Sequence, residues 1–249
     1  MRSYPSKLQT VYFFGTCLVD NMFPQTGIAA IRLLQKFGVR VIYPPAQTCC
    51  GQPAYNSGFP EEARAVANKQ VQLFPKPLPI IVPSGSCAGM MKYHYPALFD
   101  GRPEKATVQL FSDRIFELGQ FLHRELDVQL IDTGPPTTVT WHSSCHALRE
   151  MEVIKDAKAL LAQLGNVTLV PLERETECCG FGGTFAVKQP EISGAMVTDK
   201  VDDILQTGAN RVISGDCGCL MNITGAMEKR GLAVSGIHLA QFLWERIDG

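Results

Sequence analysis

The sequence has no hydrophobic run long enough to cross a bilayer, because its apolar stretches are short and interrupted by proline, glycine or charged residues. It also lacks an excess of charge of either sign, since 23 Lys and Arg residues are balanced by 24 Asp and Glu residues. This balance gives no electrostatic reason to expect nucleic-acid binding. The first residues contain no apolar segment or cleavage site typical of a secretory signal. We therefore expect a cytoplasmic protein without a membrane span.

A dinucleotide-binding motif is also missing, because no Gly-x-Gly-x-x-Gly segment opens a helix after a strand. Any flavin or nicotinamide is therefore expected on a partner. Cysteine, in contrast, is abundant, with nine residues in 249. An odd number of cysteines in a chain of this length, without a secretory signal, argues against a scaffold of structural disulfides.

The second half of the chain repeats the first. Four blocks recur in the same order, and the three that contain cysteine are separated from their copies by about 130 residues. We therefore predict a first module at residues 1–126, a linker at about 127–136 and a second module at 137–249. The matched blocks are Phe13–Cys17 with Val139–Cys145, Thr48–Gly51 with Glu177–Gly180, Ser84–Cys87 with Ser214–Cys219, and Glu117–Leu122 with His238–Leu243.

Each half is predicted to alternate strands and helices. Apolar residues at helical spacing predict helices over 27–37, 61–73, 153–164 and 191–205, with Gly38 and Gly165 after two of them. Short apolar runs predict strands ending near Phe14 and Trp141, and further strands at 39–43, 80–82, 167–170 and 211–213. Such alternation implies an α/β fold of two tandem, pseudo-symmetric modules, each with an open parallel sheet.

Eight of the cysteines follow predicted strands, and ligands of open parallel sheets lie beyond the carboxyl ends of the strands. Adjacent cysteines need a turn to share a ligand, and Gly51 and Gly180 supply the backbone freedom for one. Four thiols per half match the ligand set of an iron–sulfur cluster. We therefore predict two clusters of [4Fe-4S] type; zinc in one half, or thiol–disulfide chemistry, is the alternative. The predicted ligands are Cys17, Cys49, Cys50 and Cys87 in the first half and Cys145, Cys178, Cys179 and Cys219 in the second.

The ninth cysteine, Cys217, has no counterpart in the first half and is either a fifth ligand of the second cluster or a small buried residue beside it. Catalytic candidates are His142 and His146, on either side of Cys145, and Asn222, which follows Cys219. Each has an alternative structural role, the histidines as hydrogen-bond donors to sulfur or backbone. We expect structural roles for the remaining polar candidates, which are Asn56, His94, His123 and His238. The methionines near the cysteines are expected to pack in the core; they are Met90, Met91 and Met221.

The two Cys…Cys-Cys-Gly…Cys modules resemble the cysteine-rich CCG-domain family, which includes the heterodisulfide reductase B subunit and the iron–sulfur subunit of glycolate oxidase. The likeness covers nearly the whole chain and is greatest to the lactate-utilisation protein A group. It is carried by the strings Cys49-Cys50-Gly51-Gln52-Pro53-Ala54-Tyr55-Asn56, Pro83-Ser84-Gly85-Ser86-Cys87, Cys178-Cys179-Gly180-Phe181-Gly182-Gly183 and Cys219-Leu220-Met221-Asn222.

The resemblance implies a subunit of a multi-protein, iron–sulfur type L-lactate dehydrogenase that converts L-lactate to pyruvate. It also implies two partner subunits, one of them with ferredoxin-like clusters, and a small hydroxy-acid substrate. The sequence departs from heterodisulfide reductase B at the fifth cysteine of each module, which is Met90 in the first half and Asn222 in the second. A non-cubane cluster or a disulfide-reducing activity is therefore an alternative rather than the first expectation. A zinc-stabilised interaction module is the third hypothesis.

Overall fold

Two parallel β-sheets of four strands each, both flanked by helices, form the fold of the protein. The computed structural model describes residues 10–248. The first sheet has the spatial order β2-β1-β3-β4 and consists of Thr10–Phe13 (β1), Arg40–Ile42 (β2), Ile80–Val82 (β3) and Ile115–Glu117 (β4). Its helices are Cys17–Asn21 (α1), Pro24–Lys36 (α2), Gln52–Asn56 (α3), Pro60–Leu73 (α4), Gly85–Gly89 (α5), Tyr95–Leu98 (α6), Lys105–Ser112 (α7) and Leu118–Gln120 (α8), with π-helical turns at Met90–His94 and Phe121–Glu125.

The second sheet repeats this arrangement with the order β6-β5-β7-β8. Its strands are Thr137–Trp141 (β5), Val167–Val170 (β6), Arg211–Ser214 (β7) and Ser235–His238 (β8). Its helices are Cys145–Arg149 (α9), Ile154–Ala162 (α10), Phe185–Lys188 (α11), Pro190–Gln206 (α12), Cys217–Lys229 (α13) and Leu239–Asp248 (α14). Within residues 10–248, every helix falls short of the length and apolarity that a bilayer crossing requires.

The inner strands β1, β3, β5 and β7 are mostly buried and apolar, as expected where a parallel sheet is covered on both faces. All three residues of β3 are buried, and it pairs with β1 through Phe13 and Ile81. Helix α2 begins with a proline in its first turn and ends at Lys36, two residues before Gly38, whose φ of 79° is left-handed. There the Gly38 and Val39 N–H groups donate to the carbonyls of Gln35 and Leu34, which closes the helix and turns the chain into β2.

The structure confirms the predicted fold class, with differences at the ends of elements. Helix α2 begins at Pro24, three residues before the predicted helix, because proline at a first helical position needs no N–H partner. Helix α10 ends at Ala162, so Gly165 lies beyond the end of the helix. Strands β4 and β8 were not predicted, although both fall at the matched blocks that begin with Glu117 and His238.

One hydrophobic core extends across both modules, and a second, smaller one lies within the second module. Helix α14 of the second module packs on α2 of the first, where the Thr26 hydroxyl donates to Gln241 Oε1 at 2.7 Å. Residues 127–136, the predicted linker, contain no helix or strand and run beside α14. In this segment Asp132 forms a buried ion pair with Arg246, and the Thr133 N–H donates to the Arg246 carbonyl. The exact module limits stay a prediction.

Candidate metal centre

Each cysteine block lies in the segment that follows a strand. Cys17 is the first residue of α1, directly after β1, and Cys145 is the first residue of α9, directly after β5. Both helices are capped by the preceding hydroxyl: Thr16 accepts from the N–H of Val19, and Ser144 accepts from the N–H of Ala147. The start of each helix is thereby fixed, and with it the position of the first thiol.

The third block of each module is likewise held at a capped helix start. Cys87 lies in α5, for which Ser84 is the cap, and Cys219 lies in α13, for which Asp216 is the cap. Of the two carboxylate oxygens of Asp216, one caps α13. The second accepts from the Ser84 hydroxyl at 3.1 Å and from the Ser86 N–H at 3.0 Å. One buried carboxylate therefore ties the two helix starts together across the modules. The sequence analysis did not identify this role of Asp216.

The Cys-Cys-Gly segments are turns, as predicted. Gly51 and Gly180 both have a φ of 82°, a left-handed conformation that side chains disfavour. The N–H of each glycine donates to the first thiol of its segment, with N–Sγ distances of 3.4 Å to Cys49 and to Cys178. At Gly180 an added Cβ would lie 2.8 Å from the Ser193 carbonyl oxygen, so any larger residue is excluded there. The turn lets two neighbouring thiols point to one site.

The four thiols of the first module lie next to one another. Cys50 Sγ is 3.4 Å from Cys87 Sγ. Hydrogen bonds from the Cys17 and Cys50 thiols lower the pKa of Cys49 to about 3. The same contact with Cys49, followed by burial, raises the pKa of Cys17. These mutual effects on pKa are those of thiols that lie close enough to bind one metal group.

The second module repeats this arrangement. Hydrogen bonds from the Cys145 and Cys179 thiols lower the pKa of Cys178 to about 2. Contact with Cys178 raises the pKa values of both of those neighbours. Cys219 completes the set, because its sulfur atom lies within 4.8 Å of that of Cys179. The four sulfur atoms thus form a series of contacts like that of the first module.

Both sets of thiols open onto one cavity of about 300 Å³ between the modules. Besides the thiols, His146 and Asp216 are the ionisable side chains that line this cavity within the described part of the chain. A cavity shared by the two modules was not predicted, although the convergence of each set at its own sheet was. The cysteines that line the cavity are Cys17, Cys49, Cys50, Cys87, Cys145, Cys178, Cys179, Cys217 and Cys219.

Cys217 lies between the two sets and is buried. Burial, followed by the charge of Asp216, raises its pKa, and the Thr26 side chain is its hydrogen-bond partner. Burial and the nearby carboxylate therefore favour the protonated thiol, and the contact with Thr26 opposes them. Whether it binds metal stays a prediction.

The three catalytic candidates have different surroundings. His146 lies at the cavity wall, with Nδ1 3.4 Å from Cys145 Sγ and Nε2 3.8 Å from Glu150 Oε1. Asn222 is outside the set of residues that line the cavity, and its amide donates to the Cys179 carbonyl at 2.7 Å. Asn222 therefore holds the Cys-Cys-Gly turn in place.

His142 is fully buried, behind the second set of thiols. One ring nitrogen and the sulfur atoms of Cys179 and Cys219 all lie within 4.8 Å of one another. Burial, followed by the charge of Lys200, lowers the pKa of His142 to about 4. Its imidazole is therefore neutral at physiological pH and has a lone pair available for a metal.

Tyr95 is a site residue that the sequence analysis missed. Its hydroxyl donates to the Cys50 carbonyl at 2.8 Å, as Asn222 does for the carbonyl of Cys179. Tyr95 follows a π-helical turn and is not at the repeat position of Asn222. No signal in the sequence pattern marks it.

The other polar candidates have structural contacts or are exposed. His94 Nε2 lies 3.0 Å from Glu150 Oε1, and Asn56 is exposed at the end of α3. His123 Nδ1 lies 2.7 Å from Asp156 Oδ1, and His238 Nε2 lies 3.1 Å from the Pro83 carbonyl oxygen. Within the described residues 10–248, these four side chains do not line the cavity.

A family model described as CCG, cysteine-rich domain, matches residues 11–92 and 139–224, one match in each module. The chain belongs to the cysteine-rich CCG-domain family. Relatives that align over nearly their whole length carry the name lactate utilization protein A. The protein from Macrococcus caseolyticus is 40% identical over 239 residues, covering 96% of this chain and 97% of the relative. The protein from an Exiguobacterium species is 41% identical over 243 residues, covering 96% and 99%.

A solved structure shares the arrangement of the two CCG modules. The crystal structure of a hypothetical protein from Helicobacter pylori superposes with a TM-score of 0.69 at 12% sequence identity. The match covers 100% of this chain and 52% of that protein, so this chain spans about half its length. At this level of identity, the likeness concerns the fold alone.

Proposed function

We propose that this protein is the iron–sulfur subunit of a multi-subunit L-lactate dehydrogenase complex that oxidises L-lactate to pyruvate. The observation that carries the proposal is the meeting of two four-thiol sets at one cavity. The name of the full-length relatives, lactate utilization protein A, supports a role in lactate utilisation and directs the proposal to this substrate. All nine cysteines are free thiols, which fits a cytoplasmic location where thiols stay reduced.

The donor set fits iron–sulfur clusters of the four-iron type, one in each module. Four cysteine thiolates are the usual ligands of such a cluster. Cys49 and Cys178, the thiols with the lowest pKa values, supply thiolate at physiological pH, and binding of metal would release the protons of the others. When bound, the clusters would supply one-electron transfer.

The protein's own residues then have separate tasks. The backbone N–H groups of Gly51 and Gly180 stabilise negative sulfur, and Tyr95 and Asn222 hold the two cysteine turns. His146 at the cavity wall is the group best placed to accept the hydroxyl proton of a hydroxy acid. Oxidation of lactate releases two electrons and two protons, and we assign the organic cofactor that accepts the electron pair to a partner subunit.

A second candidate function follows from the position of His142. Its ring nitrogen near Cys179 and Cys219 makes a mixed nitrogen and sulfur site, which zinc also binds. A zinc ion in the second module would leave the protein as an interaction module with at most one redox centre. Metal analysis separates this candidate from the first.

The proposed function is tested with the complex purified under anaerobic conditions together with its partner subunits. We expect L-lactate-dependent reduction of an electron-accepting dye. The variant Cys179→Ser is expected to lose it, because one ligand of the second set is gone. The control is Leu110→Ser, an exposed side chain of α7 away from the cavity. Undiminished dye reduction by Cys179→Ser, or none by the wild-type complex, would contradict the proposal.

A further inference from the structure

The two modules differ at one position beside their thiols. Phe14 and His142 each stand three residues before the first cysteine of their module. Their backbones are equivalent, because the Phe14 N–H donates to the Ile81 carbonyl and the His142 N–H donates to the Ile213 carbonyl. An apolar ring in one module is therefore replaced by an imidazole in the other, at the same place on the sheet.

The two rings have different surroundings. Phe14 packs against Phe74 with ring centroids 6.0 Å apart, as expected of a core residue. His142 is 0% exposed, and within residues 10–248 neither of its ring nitrogens has a hydrogen-bond partner. Buried polar groups in folded proteins nearly always have a partner, and those that lack one often indicate a bound ion or ligand.

The missing partner of His142 has a defined location. A ring nitrogen lies within 4.8 Å of the sulfur atoms of Cys179 and Cys219, which also lie within that distance of each other. A metal or sulfide held by these two thiols would be within reach of the nitrogen. Because His142 does not line the cavity, water and substrate would not compete for it.

We propose that His142 binds the metal group of the second module directly through a ring nitrogen, as a donor that the first module lacks. This inference rests on the iron–sulfur assignment proposed above. A ring nitrogen bound at the second set makes its reduction potential differ from that of the first set, because ligand type and hydrogen bonding set the potential of an iron–sulfur group. The two clusters are therefore unequal.

The test uses the anaerobically purified protein labelled with ¹⁵N-histidine, reduced and studied by pulsed electron paramagnetic resonance. We expect nitrogen couplings that change from ¹⁴N to ¹⁵N on labelling and are lost in His142→Phe, which copies the residue of the first module. They are expected to remain in His146→Phe, which removes the other imidazole close to a thiol. A redox titration of His142→Phe should show the reduced fraction of the second cluster changed about tenfold at a fixed potential, for the loss of one ligand.

The outcomes separate this inference from the proposed function. Iron–sulfur signals without histidine couplings in the labelled wild-type protein overturn the role of His142 and leave the proposed function standing. Couplings that persist in His142→Phe and disappear in His146→Phe also overturn it. Absence of iron overturns both proposals together. Because the labelled wild-type measurement needs no variant, a folding defect in His142→Phe does not prevent a decision.

Discussion

The buried carboxyl group of Glu117 makes the stability of the protein depend on pH. Glu117 ends β4, is 4% exposed and lies beside Gly215 of the second module. One of its carboxylate oxygens accepts from the Gln120 N–H at 3.0 Å and caps α8. Burial raises its pKa from 4.5 to about 7, although the N–H groups of Gln120 and Gly119 oppose the shift.

The sign of the effect follows from this raised pKa. Between pH 4.5 and about 7 the folded protein binds a proton at Glu117 that the unfolded chain releases, so the free energy of unfolding falls as pH rises. The complete shift corresponds to about 3 kcal/mol, and the part between pH 6 and pH 8 to about 1.4 kcal/mol. Glu117→Gln keeps an oxygen for the cap and has no charge, so it loses this dependence.

The assay is urea unfolding of the anaerobically purified protein at several pH values from about 6 to 8. We expect the wild type to lose about 1.4 kcal/mol of stability relative to Glu117→Gln across this range. The matched control is Glu104→Gln, an exposed carboxyl group, which should follow the wild type. Parallel curves for wild type and Glu117→Gln would refute the reasoning, because they would show that Glu117 is ionised in both states throughout.

The cysteine turns give two further predictions. Gly180→Ala should destabilise its turn by about 1–3 kcal/mol because of the left-handed φ, and further because the added Cβ clashes with the Ser193 carbonyl. The variant should therefore lose metal from the second module. Gly51→Ala, whose Cβ has 3.4 Å to its nearest neighbour, should lose less; equal metal content in both variants would contradict this ordering. Tyr95→Phe leaves the Cys50 carbonyl without its hydrogen-bond donor and should lower the free energy of unfolding by about 1–3 kcal/mol, measured by urea unfolding. An unchanged unfolding midpoint would show that this hydrogen bond contributes nothing.

Repetition in the sequence was enough to predict the order of elements in each module. The apolar runs of β1, β3 and β5 and the helical spacing of α2, α4 and α12 are local patterns, so they could be identified without the structure. Strands β4 and β8 are three and four residues long and combine apolar with polar residues, such as Glu117 and His238. So short a mixed segment has no distinct period.

The shared cavity could not be predicted, because it depends on how the modules pack. That packing comes from contacts between distant residues: Asp216 with Ser84, His238 with the Pro83 carbonyl, and α14 with α2. None of these has a local pattern in the sequence. The cysteine positions were predictable for the opposite reason, since each block lies in the segment that follows a strand and the carboxyl ends of parallel strands share one edge.

Metal and sulfide analysis of the anaerobically purified protein is the most direct test of the central claim that the two thiol sets hold iron–sulfur clusters. The account predicts about eight irons and about eight acid-labile sulfides per chain, as two four-iron clusters require. Zinc in place of iron, with no labile sulfide, would contradict it.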